Sequence, residues 1–387
     1  MAKIRALNGQ TVMNFAEHVA KAKVLAPASI AVPRGVLCVT ADEAAAACGK
    51  IGPCVVKAQV PTGKRGKAGG IGKADSVADA AAAARAILGM TIDGHAVGQV
   101  LVEERADIAR EFYAAVLTDF AACAPLVLFS PEGGMDIEAI AATRPDAVRR
   151  HALEIDQPFD DQAASAMLAG LDLGGAAPRI AAILQSLHTI YRQRDAELIE
   201  INPLALLKDG RVVALDCKFT LDDAALFRQA DLAQAGARDK LTALEERGAA
   251  AGLKFIELAG DVGVLANGAG LTMTTMDVIA HLGGRPANFL EIGGEGYTKA
   301  EAALGLVLAG RNVKSLVINF CGAFARTDVM ADGVVKAWQK LKPQIPAFFS
   351  IHGTGEDEAV ALIRERLGIE PYDLMEDAVR AAVEAAR

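Results

Sequence analysis

The segment Glu197-Leu198-Ile199-Glu200-Ile201-Asn202-Pro203, the turn Lys208-Asp209-Gly210 and the return Ala214-Leu215-Asp216-Cys217-Lys218 decide how this chain is read. Two apolar runs flanking a short glycine-containing turn predict a β-hairpin. With a three-residue loop, Asn202 falls opposite Asp216 and Glu200 opposite Lys218. Side chains alternate faces along a strand, so these four then project from one face. An amide oxygen converging with carboxylates makes a hard-oxygen site of the kind that holds Mg²⁺ together with phosphate oxygens. The hairpin therefore points to nucleotide-dependent chemistry.

A chain of 387 residues is long enough for two or more domains with ample cores. Abundant alanine and glycine with only 5% aromatics suit helices packed closely on parallel sheets better than an all-β sandwich. The net charge of −8 argues against general nucleic-acid binding, with Lys64-Arg65-Gly66-Lys67 a short local exception. The six cysteines are scattered without a CxxC pair, which implies reduced thiols rather than disulfides or structural zinc. The start, Met1 to Ala6, lacks the apolar core of a signal peptide, and no apolar run approaches the roughly 18–20 residues that span a bilayer. The expectation is a soluble, cytoplasmic protein with neither nucleic acid nor membrane as a partner.

The pattern along the chain divides it at about residue 235. Residues 1–235 mix helices and strands. Thr40-Ala41-Asp42-Glu43 has the form of a capping box opening an alanine-rich helix. A buried strand over 53–60 carries Lys57, a helix follows over 76–88, and further strands are expected at 100–103, 111–117 and 124–129. The alanine-rich tract 230–252 reads as a helical linker. Residues 236–387 then alternate strands, at 262–266, 288–292, 315–320 and 346–351, with helices at 273–282, 299–308, 329–341 and 356–367. Thr298-Lys299-Ala300-Glu301 is a second candidate capping box. Such alternation implies right-handed crossovers and an open, doubly wound parallel sheet of flavodoxin-like type. The fold class is α/β.

The loop from Thr62 to Gly72 holds five glycines and the cations Lys64, Arg65 and Lys67 in eleven residues. Glycines let backbone amides approach an anion, and the cations offset phosphate charge, although the loop matches neither the P-loop nor GxGxxG. Alone it also suits a flexible basic surface loop. Lys57, inside the apolar strand just before it, needs an anionic partner, and a nucleotide phosphate is one. Glu103 and Glu104 close the next strand, with Glu111 following, and these acids suit an adenine amino group and a ribose hydroxyl.

Taken together and in order, these motifs resemble the β subunit of succinate–CoA ligase and its malate–CoA ligase relatives. The N-terminal motifs (Lys57, the Lys64-Arg65-Gly66 loop, Glu103 to Glu111, Glu200 to Pro203 and Asp216) look like an ATP-grasp nucleotide site. Asn267-Gly268-Ala269-Gly270-Leu271, Pro286 to Leu290 and Gly322 to Asp328 extend the likeness through the second domain, and Glu132 to Glu138 and Ala225 to Gln229 fit as well. The resemblance implies an N-terminal ATP-grasp fold over 1–235 and a CoA-ligase domain over 236–387. It implies that Lys57, Lys64, Arg65, Gly66, Glu103, Ala106 and Glu111 hold ATP or GTP, and that Asn202 and Asp216 ligate Mg²⁺. Asn267, Ala323, Phe324 and Ala325 would contact the carboxylic acid substrate. CoA would be the acyl acceptor, with an α subunit in an αβ or α2β2 assembly carrying a phosphohistidine that Glu200 orients. The chain departs from the family pattern at Lys64, at Glu291-Ile292-Gly293-Gly294-Glu295 and at Phe324, which put succinate in question as the acid. His352 in His352-Gly353-Thr354-Gly355 reads as a loop-packing residue. An ATP-grasp carboxylate–amine ligase and a non-catalytic nucleotide-binding module are the alternative readings, and the doubly wound domain counts against the first.

Overall fold

The computed structural model describes residues 12–63, 65–135, 137–238, 241–292 and 296–387. They fall into two compact units that divide at residues 239 and 240, four positions later than the pattern suggested.

In the first unit a four-stranded sheet runs in the order Gly35–Cys38, Val100–Glu104, Cys54–Ala58, Ile71–Ala74, all antiparallel. Alternation sets its two faces. Cys54, Val56, Ala58, Val100 and Val102 pack with residues of the helices Ala41–Ile51 and Val77–Ile87 into one apolar core. Lys57 and Glu103 belong to the opposite face. Glu103 pairs with Val55, so Lys57 is its diagonal neighbour. Thr40 caps its helix by accepting from the Glu43 N–H, and the Glu43 carboxylate reaches the Val39 N–H rather than closing back on Thr40.

The larger sheet has eight strands, ordered Arg149–Ala152, Ala124–Ser130, Ile108–Asp119, Ala196–Leu207, Lys218–Asp222, Val12–Asn14 and Ala237–Arg238, with Val212–Ala214 paired to Ala196–Leu207 off that path. The predicted hairpin is present in the predicted register. Leu204 pairs with Ala214, Leu206 with Val212 and Glu200 with Lys218. Leu207 N–H donates to Arg211 O, leaving a three-residue loop in which Gly210 takes φ +89°. The helix Ala177–Gln193 covers one face through Ile180, Leu184 and Leu187. The expected linker helix is not continuous. Ala230–Ala233 is one helical turn, Ala237–Arg238 pairs with Met13 and Asn14, and a helix resumes at Ala243–Ala250 behind a Thr242/Glu245 capping box. Pairing with the sheet wins here over alanine's helix propensity.

The second unit is a five-stranded sheet ordered Phe255–Glu257, Asn288–Ile292, Val262–Asn267, Ser315–Gly322, Ala347–Gly353. The last four strands are parallel, and the edge strand Phe255–Glu257, absent from the sequence reading, runs antiparallel. Helices cover both faces. Leu265, Leu290 and Ile318 pack with residues of Ala300–Leu308, Thr327–Leu341 and Glu356–Leu367. Val262, Val264 and Val317 pack with those of Ala269–His281 and Met375–Ala386. This is the doubly wound arrangement. Where the second and third strands diverge, the buried Asn288 amide both accepts from and donates to the Val264 backbone, which satisfies groups the ladder leaves open. The capping box expected at Thr298 does not form, because a 3-10 turn over Gly296–Lys299 carries the chain in and the helix starts at Ala300 without a side-chain cap.

Among the described residues no helix is long and apolar enough to cross a membrane. At the carboxyl edge of the parallel sheet, Gly353 takes φ +106°, and a Cβ there would run into the carbonyl of Gly322 on the adjacent strand. Gly353→Ala is therefore expected to destabilise the second unit by about 1–3 kcal/mol. Trp338, the single tryptophan, packs on Phe349 within that unit, so its fluorescence in a denaturant titration reads the shift directly.

Candidate active site

The face of the small sheet that carries Lys57 and Glu103 meets a buried cluster of ions. Glu17 and Lys21 come from the chain after the first strand, Lys57 and Glu103 from the sheet, Arg65 from the glycine-rich loop and Asp216 from the hairpin return. Glu17, Lys21, Lys57, Arg65 and Glu103 are none of them more than 9% exposed. Lys57 Nζ donates to Glu17 Oε1 at 2.9 Å, Glu103 Oε2 at 2.7 Å and Leu215 O at 2.6 Å. Lys21 Nζ donates to the same three groups, at 2.5, 2.6 and 2.8 Å. Each ammonium thus has three acceptors for three protons. Arg65 donates through Nη1 to Glu17 Oε2 at 2.7 Å and Ala58 O at 3.0 Å, and through Nη2 to both Asp216 oxygens at 2.6 Å.

Three carboxylates therefore face three cations, and the buried cluster is neutral. Burial pushes the Glu17 carboxyl up, but Lys57, Lys21 and Arg65 outweigh it and hold the group well below the usual carboxylate range. Burial works against the charge on Lys57 as well, and Glu17 and Glu103 more than restore it. Removing one partner from such a cluster leaves an uncompensated buried charge, at a cost of about 3–5 kcal/mol.

Two clefts flank the cluster. One, of about 520 Å³, has Val32, Pro33, Ala106, Leu207 and Val213 as apolar walls and Glu104, Arg105, Asp107, Lys208, Asp209 and Arg211 as its polar lining. Its shape and chemistry suit a planar heterocycle with polar edges. The other, about 140 Å³, is lined by Glu17, Arg65, Glu200, Asn202, Asp216 and Lys218 among others. The hairpin return joins them, with Val213 in the first cleft, Leu215 O in the cluster and Asp216 in the second.

The hairpin brings Glu200, Asn202, Asp216 and Lys218 to this second cleft. Asp216 is one-third exposed and also accepts from the Cys217 N–H at 2.7 Å. Asn202 sits where the ladder to Ile108–Asp119 shifts register, and its amide is engaged with the turn before residue 136, accepting from Gly134 N–H at 2.7 Å and donating to Met135 O at 2.9 Å. That turn also covers Glu111, whose backbone carbonyl accepts from Gly133 N–H. Glu200 is half-buried. Burial raises its pKa, Lys218 and the Tyr113 hydroxyl lower it, and Glu138 and Asp216 raise it again.

Other expected site residues are placed differently. Lys64 lies outside the described residues, as do Gly293, Gly294 and Glu295. Glu103 turns into the ion cluster, and its neighbour Glu104, bonded to Arg34, lines the first cleft. Gly66 is exposed in its loop. In the second unit Asn267 bridges to the next strand tip, donating to Cys321 O and accepting from Cys321 N–H, both at 2.8 Å. It thereby adjoins the loop holding Ala323, Phe324 and Ala325, where Phe324 is fully exposed and Ala323 O accepts from Thr354 Oγ1. His352 lies within the last strand, beside Ser350 and Glu356, so it is a strand residue rather than a loop one. The six cysteines carry free thiols.

Glu17, Lys21 and Tyr113 were not picked out by sequence. The i,i+4 spacing of Glu17 and Lys21 amid apolar residues was the available signal. Because Glu17 stays ionised in the folded state below the 4.5 of an ordinary glutamate, it contributes stability that is present above that value and lost as pH falls beneath it. Glu17→Gln is expected to remove one proton from this acid dependence, about 1.4 kcal/mol per pH unit of slope between roughly pH 4.5 and 3. Urea unfolding followed by circular dichroism across that range measures it, and identical slopes would contradict the burial of an ionised Glu17.

A family model described as ATP-grasp domain matches residues 14–206, and one described as CoA-ligase matches residues 265–384. The succinate–CoA ligase [ADP-forming] subunit beta of Rubrobacter xylanophilus is 41% identical over 382 residues, covering 97% of this chain and 99% of that one. The [GDP-forming] subunit beta of Thermus thermophilus is 40% identical, covering 91% of this chain and 93% of its own. Among solved structures, ATP citrate lyase from Methanothrix soehngenii, determined with citrate and coenzyme A, shares the fold with a TM-score of 0.64 at 22% identity, covering 96% of this chain and 100% of that chain. With its hairpin, ion cluster and doubly wound second unit, this chain belongs to the succinate–CoA ligase β-subunit family.

Proposed function

We propose that this chain is the nucleotide-binding subunit of a nucleoside-diphosphate-forming carboxylate–CoA ligase. Acid, CoA and nucleoside triphosphate give acyl-CoA, nucleoside diphosphate and phosphate, by way of a phosphohistidine on a partner α subunit and an acyl phosphate. The observation that carries this reading is the hairpin register, which sets Glu200, Asn202 and Asp216 on one cleft beside Glu17 and Arg65, in a chain of this family. Relatives are named for ADP and for GDP formation, and on this reading the base is adenine or guanine.

The base takes the larger cleft against Pro33, Ala106, Leu207 and Val213, and the phosphates follow the hairpin return toward Asp216. Asn202 and Asp216 fit a magnesium ion as far as donor chemistry goes: both present hard oxygens, and Asp216 is open to the cleft. Mg²⁺ held there supplies charge neutralisation at the phosphate oxygens. Arg65 already clasps both oxygens of Asp216, so the guanidinium and a cation compete for one carboxylate. Arg65 is free to bind phosphate only when Asp216 is otherwise engaged. Glu200 orients the incoming imidazole through a carboxylate–N–H hydrogen bond that fixes its tautomer. In the second unit Asn267 and the 323–325 loop bind the acid, and the bulk of Phe324 shapes that pocket. A cytoplasmic αβ or α2β2 assembly is part of this reading.

Asp216→Asn tests it. ATP-dependent phosphorylation of a succinate–CoA ligase α subunit, followed with γ-³²P-ATP in the reconstituted complex, is expected to fall by roughly 10² or more. In chelator the same variant should bind ADP more tightly than the parent protein, because Arg65 Nη2 is no longer held in an ion pair. Phosphorylation at the parent rate would refute the metal assignment, and a screen of dicarboxylic and tricarboxylic acids for CoA-dependent ADP release then identifies the acid.

A further inference from the structure

Tyr113 is on the strand Ile108–Asp119, which pairs with the hairpin strand so that Glu200 lies opposite Ala115. Tyr113 is thus two residues along on the same face, the diagonal neighbour that a long side chain reaches. Its ring is 2% exposed and packs with Ala115, Leu126, Leu128, Ile140 and Val148, in part beneath the helix Ile137–Thr143. Its hydroxyl donates to Glu200 Oε2 at 3.0 Å. Burial first, and then the Glu200 carboxylate, push the phenol well above its usual range, so it stays a donor. The remaining charged groups facing Glu200 are Lys218 from the adjacent strand, Asp216 from the hairpin return and Glu138 from the helix above. Among these, the Tyr113 hydroxyl has the most rigid support. A phenol has two torsions, and here the ring is packed into an apolar cluster, whereas Lys218 is an exposed lysine on a flexible stem.

We propose that Tyr113 is a positioning residue for phosphoryl transfer: its hydroxyl pins one oxygen of Glu200 so that the other is presented in a single orientation to the partner's histidine. The inference rests on the role given to Glu200 above. A carboxylate free to rotate would present the imidazole with several orientations, only one of which sets its ring nitrogen for in-line attack. Tyr113 touches neither nucleotide nor imidazole and acts through Glu200 alone.

A double-mutant cycle tests this in the complex with the α subunit, using γ-³²P-ATP with Mg²⁺ for the single-turnover rate and ADP for affinity. Tyr113→Phe removes one oxygen and keeps the ring. It is expected to slow histidine phosphorylation roughly tenfold, as befits one hydrogen bond to a charged group, with ADP affinity unchanged. In a Glu200→Gln background, Tyr113→Phe should slow the reaction no further. A parent rate for Tyr113→Phe, an equal loss in both backgrounds, or a parallel loss of ADP affinity would each overturn the inference in favour of packing alone. If Glu200→Gln by itself leaves the rate unchanged, the role of Glu200 fails, and this inference with it.

Discussion

The carboxylate of Glu17 is the anion around which the cations of the first unit are arranged. It touches Lys21, Lys57 and Arg65 at once, each within 2.9 Å. Burying three cations in an apolar setting is prohibitive unless each is compensated, and here Glu17, Glu103 and Asp216 provide that compensation without excess. The cluster also ties separate pieces of chain together: the segment after the first strand, the small sheet, the glycine-rich loop and the hairpin return. Leu215 O completes the donor requirement of both lysines.

The hairpin is the second constraint, and it was legible because two elementary rules suffice to place it. Alternation assigns the face, and a three-residue loop assigns the register, so Glu200 opposite Lys218 follows from counting. The parallel sheet of the second unit was legible for the same reason, since apolar runs alternate with helical periods, and the helix Glu356–Leu367 has the predicted ends. What local patterns did not reveal is specified by distant partners. Glu17 and Lys21, read alone, look like an ordinary i,i+4 surface pair; their burial depends on a strand some forty residues later and a hairpin near residue 215. Tyr113 sits in an apolar run and reads as core, and only pairing with the hairpin strand brings its hydroxyl to Glu200. The alanine-rich tract around residue 235 misled because helix propensity was the only local signal, while the decisive interaction was an edge pairing with Met13 and Asn14.

The same contrast runs through the individual site residues. Asn267 was expected as a ligand contact, and its amide is in fact occupied in joining two parallel strand tips through Cys321. A residue of this kind holds a loop edge in place and can still offer remaining lone pairs, so structural and binding duties are not exclusive. Asn202 is similar: Gly134 and Met135 hold it, and the turn that does so also covers Glu111. Both amides are thus held in place by backbone partners, which would limit what they lose in entropy if a ligand bound.

Neutrality of the cluster bears directly on how a nucleotide can be recognised. A site with spare positive charge would attract any polyanion. Here Lys57 and Arg65 are already matched, so a bare triphosphate brings negative charge to a place with none to spare. On the proposed reading, a divalent ion that came in with the phosphates would offset part of that charge, and Asp216, open to the cleft, is the carboxylate for which it would compete with Arg65. Under that proposal the Arg65–Asp216 pair would favour the metal–nucleotide complex over either component alone. Glu200 stands outside this exchange, on the same hairpin face but paired with Lys218 and Tyr113 rather than with the cluster. Under the proposed function its carboxylate would serve the imidazole of the partner subunit.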